Sequence, residues 1–237
     1  MESKLAKAIK LTTEPVAVIY SDTCPENVLQ YREGVWGCNI ALLNAAANGR
    51  IAAMSEKTTV CRGGKVGLGF GKFKPGIEYF LSIGDDGPRP GEHYKKTPEL
   101  ARQYTQSVPD VTAKEHVIFK PLSELSEEDV PQMVIFLVNA DQLSGLVTLA
   151  NYDMEAQNNV QILFGAGCVQ SILHPIHAQQ SEESICYIGL TDPSARKCIP
   201  KDILSFSIPF NRFLKMEEEV NGSFFDTDAW DTIYKRI

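Results

Sequence analysis

No apolar run in this 237-residue chain approaches the roughly 20 residues that a membrane-spanning helix needs; "MVIFLV" and "VQILFGAG" are only strand-length. The N-terminal "MESKLAKAIKLTTEP" has no apolar stretch of the kind a secretory signal carries. Positive charge is scarce as well. Against 23 Lys and Arg stand 30 Asp and Glu, a net charge of −7 with a pI near 5.2. No broad basic face is therefore available to neutralise phosphates, and nucleic acid is not expected as a partner. The expected setting is cytoplasmic, with no membrane contact.

Compact metal motifs are missing too. The six cysteines are Cys24, Cys38, Cys61, Cys168, Cys186 and Cys198, and none forms a CxxC or CxxCxxC. That excludes a zinc ribbon and a bacterial-type ferredoxin. In a reducing compartment they do not form a disulfide framework either. Any metal site must be assembled from distant parts of the chain.

What is present is enough to bury a core: 43% of residues are hydrophobic and 22% charged. "PVAVIYS" (15–21), "PQMVIFLVN" (131–139), "SICYIGL" (184–190) and "ILSFSIPF" (203–210) read as strands, as do "TTVC" (58–61), "IEYFLSIG" (77–84) and "HVIFKPLSEL" (116–125). Helices are expected over 38–49 (stopped by Gly49), 98–106, 140–151, from Cys168 onward, and over "NRFLKMEEEVNG". "DPSARK" (192–197) reads as a turn or short helix. "SEED" (126–129) looks like a helix start with Ser126 as N-cap. "DDGPRPGEHYKKTPE" (85–99) is the most loop-like segment. The expected fold class is α/β (mixed α+β), with helices packed on mixed sheets.

The two halves, 1–125 and 126–237, follow one plan. Each runs Pro-led strand, Gly-Cys opening a helix, then a strand with a second cysteine. Cys38 thereby matches Cys168, and Cys61 matches Cys186. The halves are expected to pack about a pseudo-twofold axis, as two units or one compact domain.

Cys38 and Cys168 each open a helix, where backbone N–H groups and the macrodipole favour thiolate. A small buried core residue is the plain alternative. Cys61 enters "CRGGKVGLGFGKFKPG" (61–76), which holds six glycines with Arg62, Lys65, Lys72 and Lys74. Phosphate is the first thought, yet both nucleotide patterns fail. GxxxxGK[ST] meets Val66 and Phe73 at two required positions, and Gly67, Gly69 and Gly71 miss the GxGxxG spacing. Glycines also let backbone approach the sulfides of a cluster. His174 and His177 follow Cys168 around Pro175 and read as ordinary surface or core histidines.

"WGCNIAL…TTVCRGGKVGLGF", "FGAGCVQS", "LTDPSAR" and "LSFSIPFNRFLKMEEE" resemble the motifs of domain-of-unknown-function family 169 (DUF169) over nearly the whole chain. The resemblance implies a cytoplasmic protein, common in anaerobes, with recurrent cysteines at Cys38, Cys61 and Cys168. These fit an iron–sulfur cluster of the [4Fe–4S] type at the junction of the halves, with Cys186 as the candidate fourth ligand. Zinc is the competing metal. Arg62, Gly63, Gly64 and Arg196 are candidate contacts for the cofactor or a small anionic ligand, ordinary salt bridging being the plain reading of the arginines. A redox or small-ligand role follows, with a redox partner protein or a small anion as partner. Whether the chain forms a homo-oligomer is open. The alternatives are an anion-binding protein or transferase that uses the 61–76 loop without metal, and a cysteine-nucleophile enzyme.

Overall fold

The computed structural model describes residues 1–84 and 90–237. Part of the 85–99 loop expectation therefore lies outside the described residues. Among those described, seven strands form one sheet: β1 Val16–Ser21, β2 Ala52–Met54, β3 His116–Pro121, β4 Pro131–Val138, β5 Val160–Gln161, β6 Cys186–Gly189 and β7 Leu204–Pro209. Their order is β2-β3-β1-β4-β7-β6-β5. All pairs are antiparallel except β5–β6. The mixed α/β class follows directly.

The sheet is continuous across the two halves of the chain. β1 pairs with β4 at its centre, Val16 opposite Ile135 and Ala17 opposite Val134. Outward from that seam run β1, β3, β2 on one side and β4, β7, β6 on the other. Each half thus places its first, third and second antiparallel strand in the same order.

Both faces are covered, which is why β1 and β4 read as unbroken apolar runs. Side chains alternate with period two along a strand. Val16, Val18, Met133 and Ile135 face one core, with α2 Asn39–Ala47 and α7 His174–Gln180 packed over it. Ala17, Val134, Phe136 and Ile208 face the other, beneath α1 Lys4–Ala8, α6 Ala140–Leu149, α9 Phe210–Glu218 and α10 Asp228–Tyr234. α6 begins with a capping box between Asn139 and Gln142. Arg212, only 2% exposed, is held by Asp153 and the Ala150 carbonyl.

Four sequence expectations need correction. Residues 58–61 lie outside the sheet, and the strand of that region is β2 at Ala52–Met54. "RGGKVG" is a helix, α3 Arg62–Gly67. Residues 77–84 begin with a helical turn, α4 Ile77–Phe80, entered through Gly76 at φ +93°. "SEED" is a turn in which Asp129 accepts from the Ser126 N–H and hydroxyl and pairs with Lys120 at 2.6 Å. In each, a local tertiary contact overrides strand propensity or a capping pattern. The remaining helices, α5 Pro98–Ser107 and α8 Pro193–Arg196, fall where expected.

The helix carrying Cys168 is irregular for an identifiable reason. Pro175 has no N–H to offer the Ser171 carbonyl four residues earlier. That carbonyl instead accepts from the Ser207 hydroxyl at 2.8 Å, and Val169–Leu173 widens into a π-helical stretch ahead of α7.

Candidate functional site

Three cysteines sit at three helix N-termini. Cys38 is the N-cap of α2 and Cys61 the N-cap of α3, both with extended ψ near 120°. Cys168 lies in the first turn of the helix that opens at Gly167. The approach to Cys38 is fixed by Tyr31, whose hydroxyl donates to the Cys38 carbonyl at 2.9 Å. Gly37 has no side chain because the Tyr31 ring fills that space.

The glycines of α3 are there for packing. A Cβ on Gly67 would lie 2.5 Å from the Cys168 carbonyl carbon, and one on Gly63 2.8 Å from the Ala166 Cβ. One on Gly64 would lie 2.5 Å from the Asn39 amide nitrogen. Gly63, Gly64 and Gly67 thus form a bare helix face on which the Cys168 turn and the start of α2 rest at backbone distance. That contact draws Cys61 toward Cys38 and Cys168. It also encloses Asn39, which is 1% exposed and has no hydrogen-bond partner for either amide atom.

Cys38, Cys61 and Cys168 line one cavity of about 630 Å³. Gly63, Gly64 and Arg62 form the wall beside them, with the Arg62 guanidinium 5.9 Å from the centre of the Phe80 ring. Trp36, Phe80, Tyr94, Tyr104 and Phe164 supply an aromatic lining, and Glu92 and Asp192 bring two carboxylates. The Tyr104 hydroxyl is buried without a partner.

Burial dominates the electrostatics. It pushes the Cys38 thiol up to about 11, with the neighbouring Cys198 thiol adding to the rise and the Ile40 and Ala41 N–H groups opposing it. Cys61 is raised by burial against the pull of the Gly64 and Gly63 N–H groups. Cys168 is raised well above the usual thiol range, by burial first and then by Cys61 and Cys38. The expected thiolate-favouring effect of the helix N-termini is present at Cys38 and Cys61, but desolvation outweighs it. All three are thiols at neutral pH in this environment.

Asp192 is the hub that sequence reasoning missed. It is 5% exposed, and as N-cap of α8 it accepts from the Ser194 N–H at 3.0 Å and from the Tyr94 hydroxyl at 2.9 Å. Its other oxygen accepts the Gly167 N–H at 2.9 Å, tying down the turn that carries Cys168. The Asp-Pro pair of "TDPSAR" was the legible signal, since it marks an N-cap followed by Pro at N1.

Two predicted residues are not brought to the cavity. Cys186 lies in β6 and is fully buried in the opposite core. Its neighbour Tyr187 points the other way and stacks on His174, as strand alternation requires. Arg196 gives its guanidinium to the carbonyls of Pro200, Lys201 and Ile203 and not to Asp192. Lys65 pairs with Glu56 at 3.3 Å and Lys72 with Asp110 at 2.5 Å, which neutralises much of the basic character of 61–76. His177 sits 3.0 Å from the Ser181 hydroxyl, as an ordinary histidine does.

Among the described residues, no group of three His, Cys, Asp or Glu side chains is arranged to hold a single metal ion, and no helix is long and apolar enough to cross a membrane. The profile of DUF169, described as an uncharacterised ArCR family, matches residues 4–219. The chain belongs to DUF169. The match spans both halves and the whole cavity of this DUF169 protein. No curated protein and no solved structure matches the chain.

Proposed function

We propose that this DUF169 protein binds an iron–sulfur cluster of the [4Fe–4S] type through Cys38, Cys61 and Cys168, facing the aromatic cavity. The observation that carries the reading is that three helix N-termini, each bearing a cysteine, open onto one cavity. The residues fit such a group in kind. Thiolates are its usual ligands, the N–H groups of Ile40, Ala41, Gly63 and Gly64 favour negative sulfur, and Asn39 holds an unpartnered amide beside them. Ligation releases the thiol protons, so metal binding and the raised thiol pKa values oppose one another. Zinc is the competing metal for such a thiol set.

When bound, the cluster supplies one-electron chemistry or a Lewis-acidic iron. The chain's own residues do the rest. Asp192 orients the Cys168 turn, the α3 glycines set the spacing, and the aromatic wall limits water around the site. Arg62 and Glu92 would orient whatever small molecule enters the cavity, and a redox partner protein would approach from its open side. A cytoplasmic setting goes with this reading, since all six cysteines are free thiols.

Arg62 favours a second reading, a small anionic ligand bound without metal. Purification without oxygen, followed by a visible spectrum and iron and sulfide assays, separates the two. Sulfide-to-iron charge-transfer absorption with matching iron and sulfide supports the cluster. Protein that stays colourless and iron-free after anaerobic reconstitution refutes it. A melting temperature raised by inorganic phosphate, and no longer raised in Arg62→Ala, would then support the anion reading.

A further inference from the structure

The cavity wall accounts for three thiols, and β6 carries the fourth candidate away from them. A different cysteine, itself outside the cavity lining, packs with Cys38 against the core beneath that wall. Beyond β6 the chain passes Leu190, fully buried at φ +61°, a left-handed conformation that a branched side chain adopts only under constraint from its surroundings. It then reaches Asp192, turns through α8 and arrives at Cys198.

Asp192, Ala195 and Lys197 anchor this arm at the site. Asp192 holds Gly167, and the Ala195 side chain packs so closely on Gly167 that a Cβ there would lie 2.8 Å from it. The Cys198 N–H donates to the Ala195 carbonyl at 3.0 Å, which keeps Cys198 against the end of α8. Lys197 places its ammonium 5.5 Å from the centre of the Trp36 ring, two residues ahead of Cys38. Arg196 staples the far side by donating to the carbonyls of Pro200, Lys201 and Ile203. Cys198 and Cys38 pack against the same core. The Cys198 thiol is also close enough to influence the thiols of Cys38 and Cys168 and the hydroxyl of Tyr31.

We infer that Cys198 is the fourth thiol of the cluster site, closing it from the Cys38 side in place of Cys186. The inference rests on the cluster reading and extends it to the complete ligand set. The strand positions explain why chain order pointed elsewhere. With β2 at 52–54 and β6 at 186–189, Cys61 lies beyond its strand and Cys186 lies within its own. The thiol that lies beyond β6, as Cys61 lies beyond β2, is Cys198. On ligation its proton leaves to solvent and the thiolate sulfur bonds to iron, with no change in electron count.

The test uses the full-length protein, reconstituted anaerobically with ferrous iron and sulfide. Wild type, Cys186→Ser, Cys198→Ser and Cys198→Ala are assayed for iron and labile sulfide, with electron paramagnetic resonance after mild oxidation. Wild type and Cys186→Ser are expected to hold about four irons per chain. Both Cys198 variants are expected to fall to about three irons with the resonance of a three-iron cluster, or to lose the cluster. Melting curves of the iron-free variants show whether a loss follows from unfolding, and the alanine variant avoids leaving a hydroxyl beside Cys38. Wild-type iron content and spectrum in either folded Cys198 variant would overturn the assignment, as would loss confined to Cys186→Ser. A wild type that takes up no iron removes the cluster reading, and this assignment with it.

Discussion

Gly67 shows most plainly how one residue sets the site. In an ordinary exposed helix, replacing glycine by alanine stabilises by about 1 kcal/mol. Here the added methyl would meet the backbone and Cβ of Cys168, and overpacking of a tight contact costs about 1–3 kcal/mol. Gly67→Ala is therefore expected to lower the midpoint of urea unfolding, reversing the usual sign. A raised midpoint would mean that α3 does not press on the Cys168 turn.

Asp192 makes a second residue-scale prediction. Replacing it by alanine strands the buried Gly167 N–H, while the exposed Ser194 N–H keeps the Tyr94 hydroxyl as a partner. A stranded buried donor costs about 1–3 kcal/mol. Tyr94→Phe removes a single hydroxyl from the same hub and should cost about 1 kcal/mol. Equal melting temperatures for the two variants would contradict the hub.

At the scale of elements, helix α7 carries an acid-sensitive group. His174 stacks on Tyr187 with ring centres 5.6 Å apart. Burial first, and His177 second, lower its pKa from 6.5 to about 4. Below pH 6.5 the unfolded chain takes up a proton that the folded chain refuses. The contribution of neutral His174 is thus complete above about pH 6.5 and drains away as the pH falls toward 4. His174→Phe keeps a ring for Tyr187 and removes the titration. Its melting temperature should fall less than that of wild type between pH 7 and pH 4.5, and parallel curves would count against the assignment.

Elements also show what could be read from the chain beforehand. Strands β1 and β4 were legible because both faces are buried, giving "VAVIY" and "MVIFLV". Helix α2 was legible because its Ala-Leu run ends at Gly49, which adopts φ +85°. Helix α3 was not: "RGGKVG" is poor in helix formers, and it is held as a helix by its fit against Cys168 and Asn39. The "TTVC" reading failed for a related reason, since three β-prone residues do not make a strand without a partner edge. The match of Cys61 with Cys186 rests on that strand, whereas the strand of the region is β2 at Ala52–Met54.

For the whole molecule, the shared seam between β1 and β4 decides how the halves depend on one another. The core over Val16, Val18, Met133 and Ile135 draws strands from both, and the cavity takes Cys38 and Cys61 from one half and Cys168 from the other. Residues 126–237 expressed alone would expose the long β4 edge and half of that core. They are expected to lack a cooperative thermal transition, and a sharp melt from this fragment would mean the second half folds by itself. The site inherits the same dependence. Its cysteines were legible singly, as Gly-Cys pairs and a glycine-flanked cysteine. The hub at Asp192 and the arm that brings Cys198 were not, because their roles exist only once the halves have met.

Mössbauer spectroscopy of iron-57-reconstituted protein tests whether Cys38, Cys61 and Cys168 hold an iron–sulfur cluster. Wild type and Cys24→Ser, whose cysteine packs in a separate small cluster with Ile19 and Ile118, should give the same [4Fe–4S] spectrum. Cys38→Ser, Cys61→Ser and Cys168→Ser should each lose or degrade it. Wild type showing only adventitious iron, or the three variants keeping the wild-type spectrum, would contradict the claim.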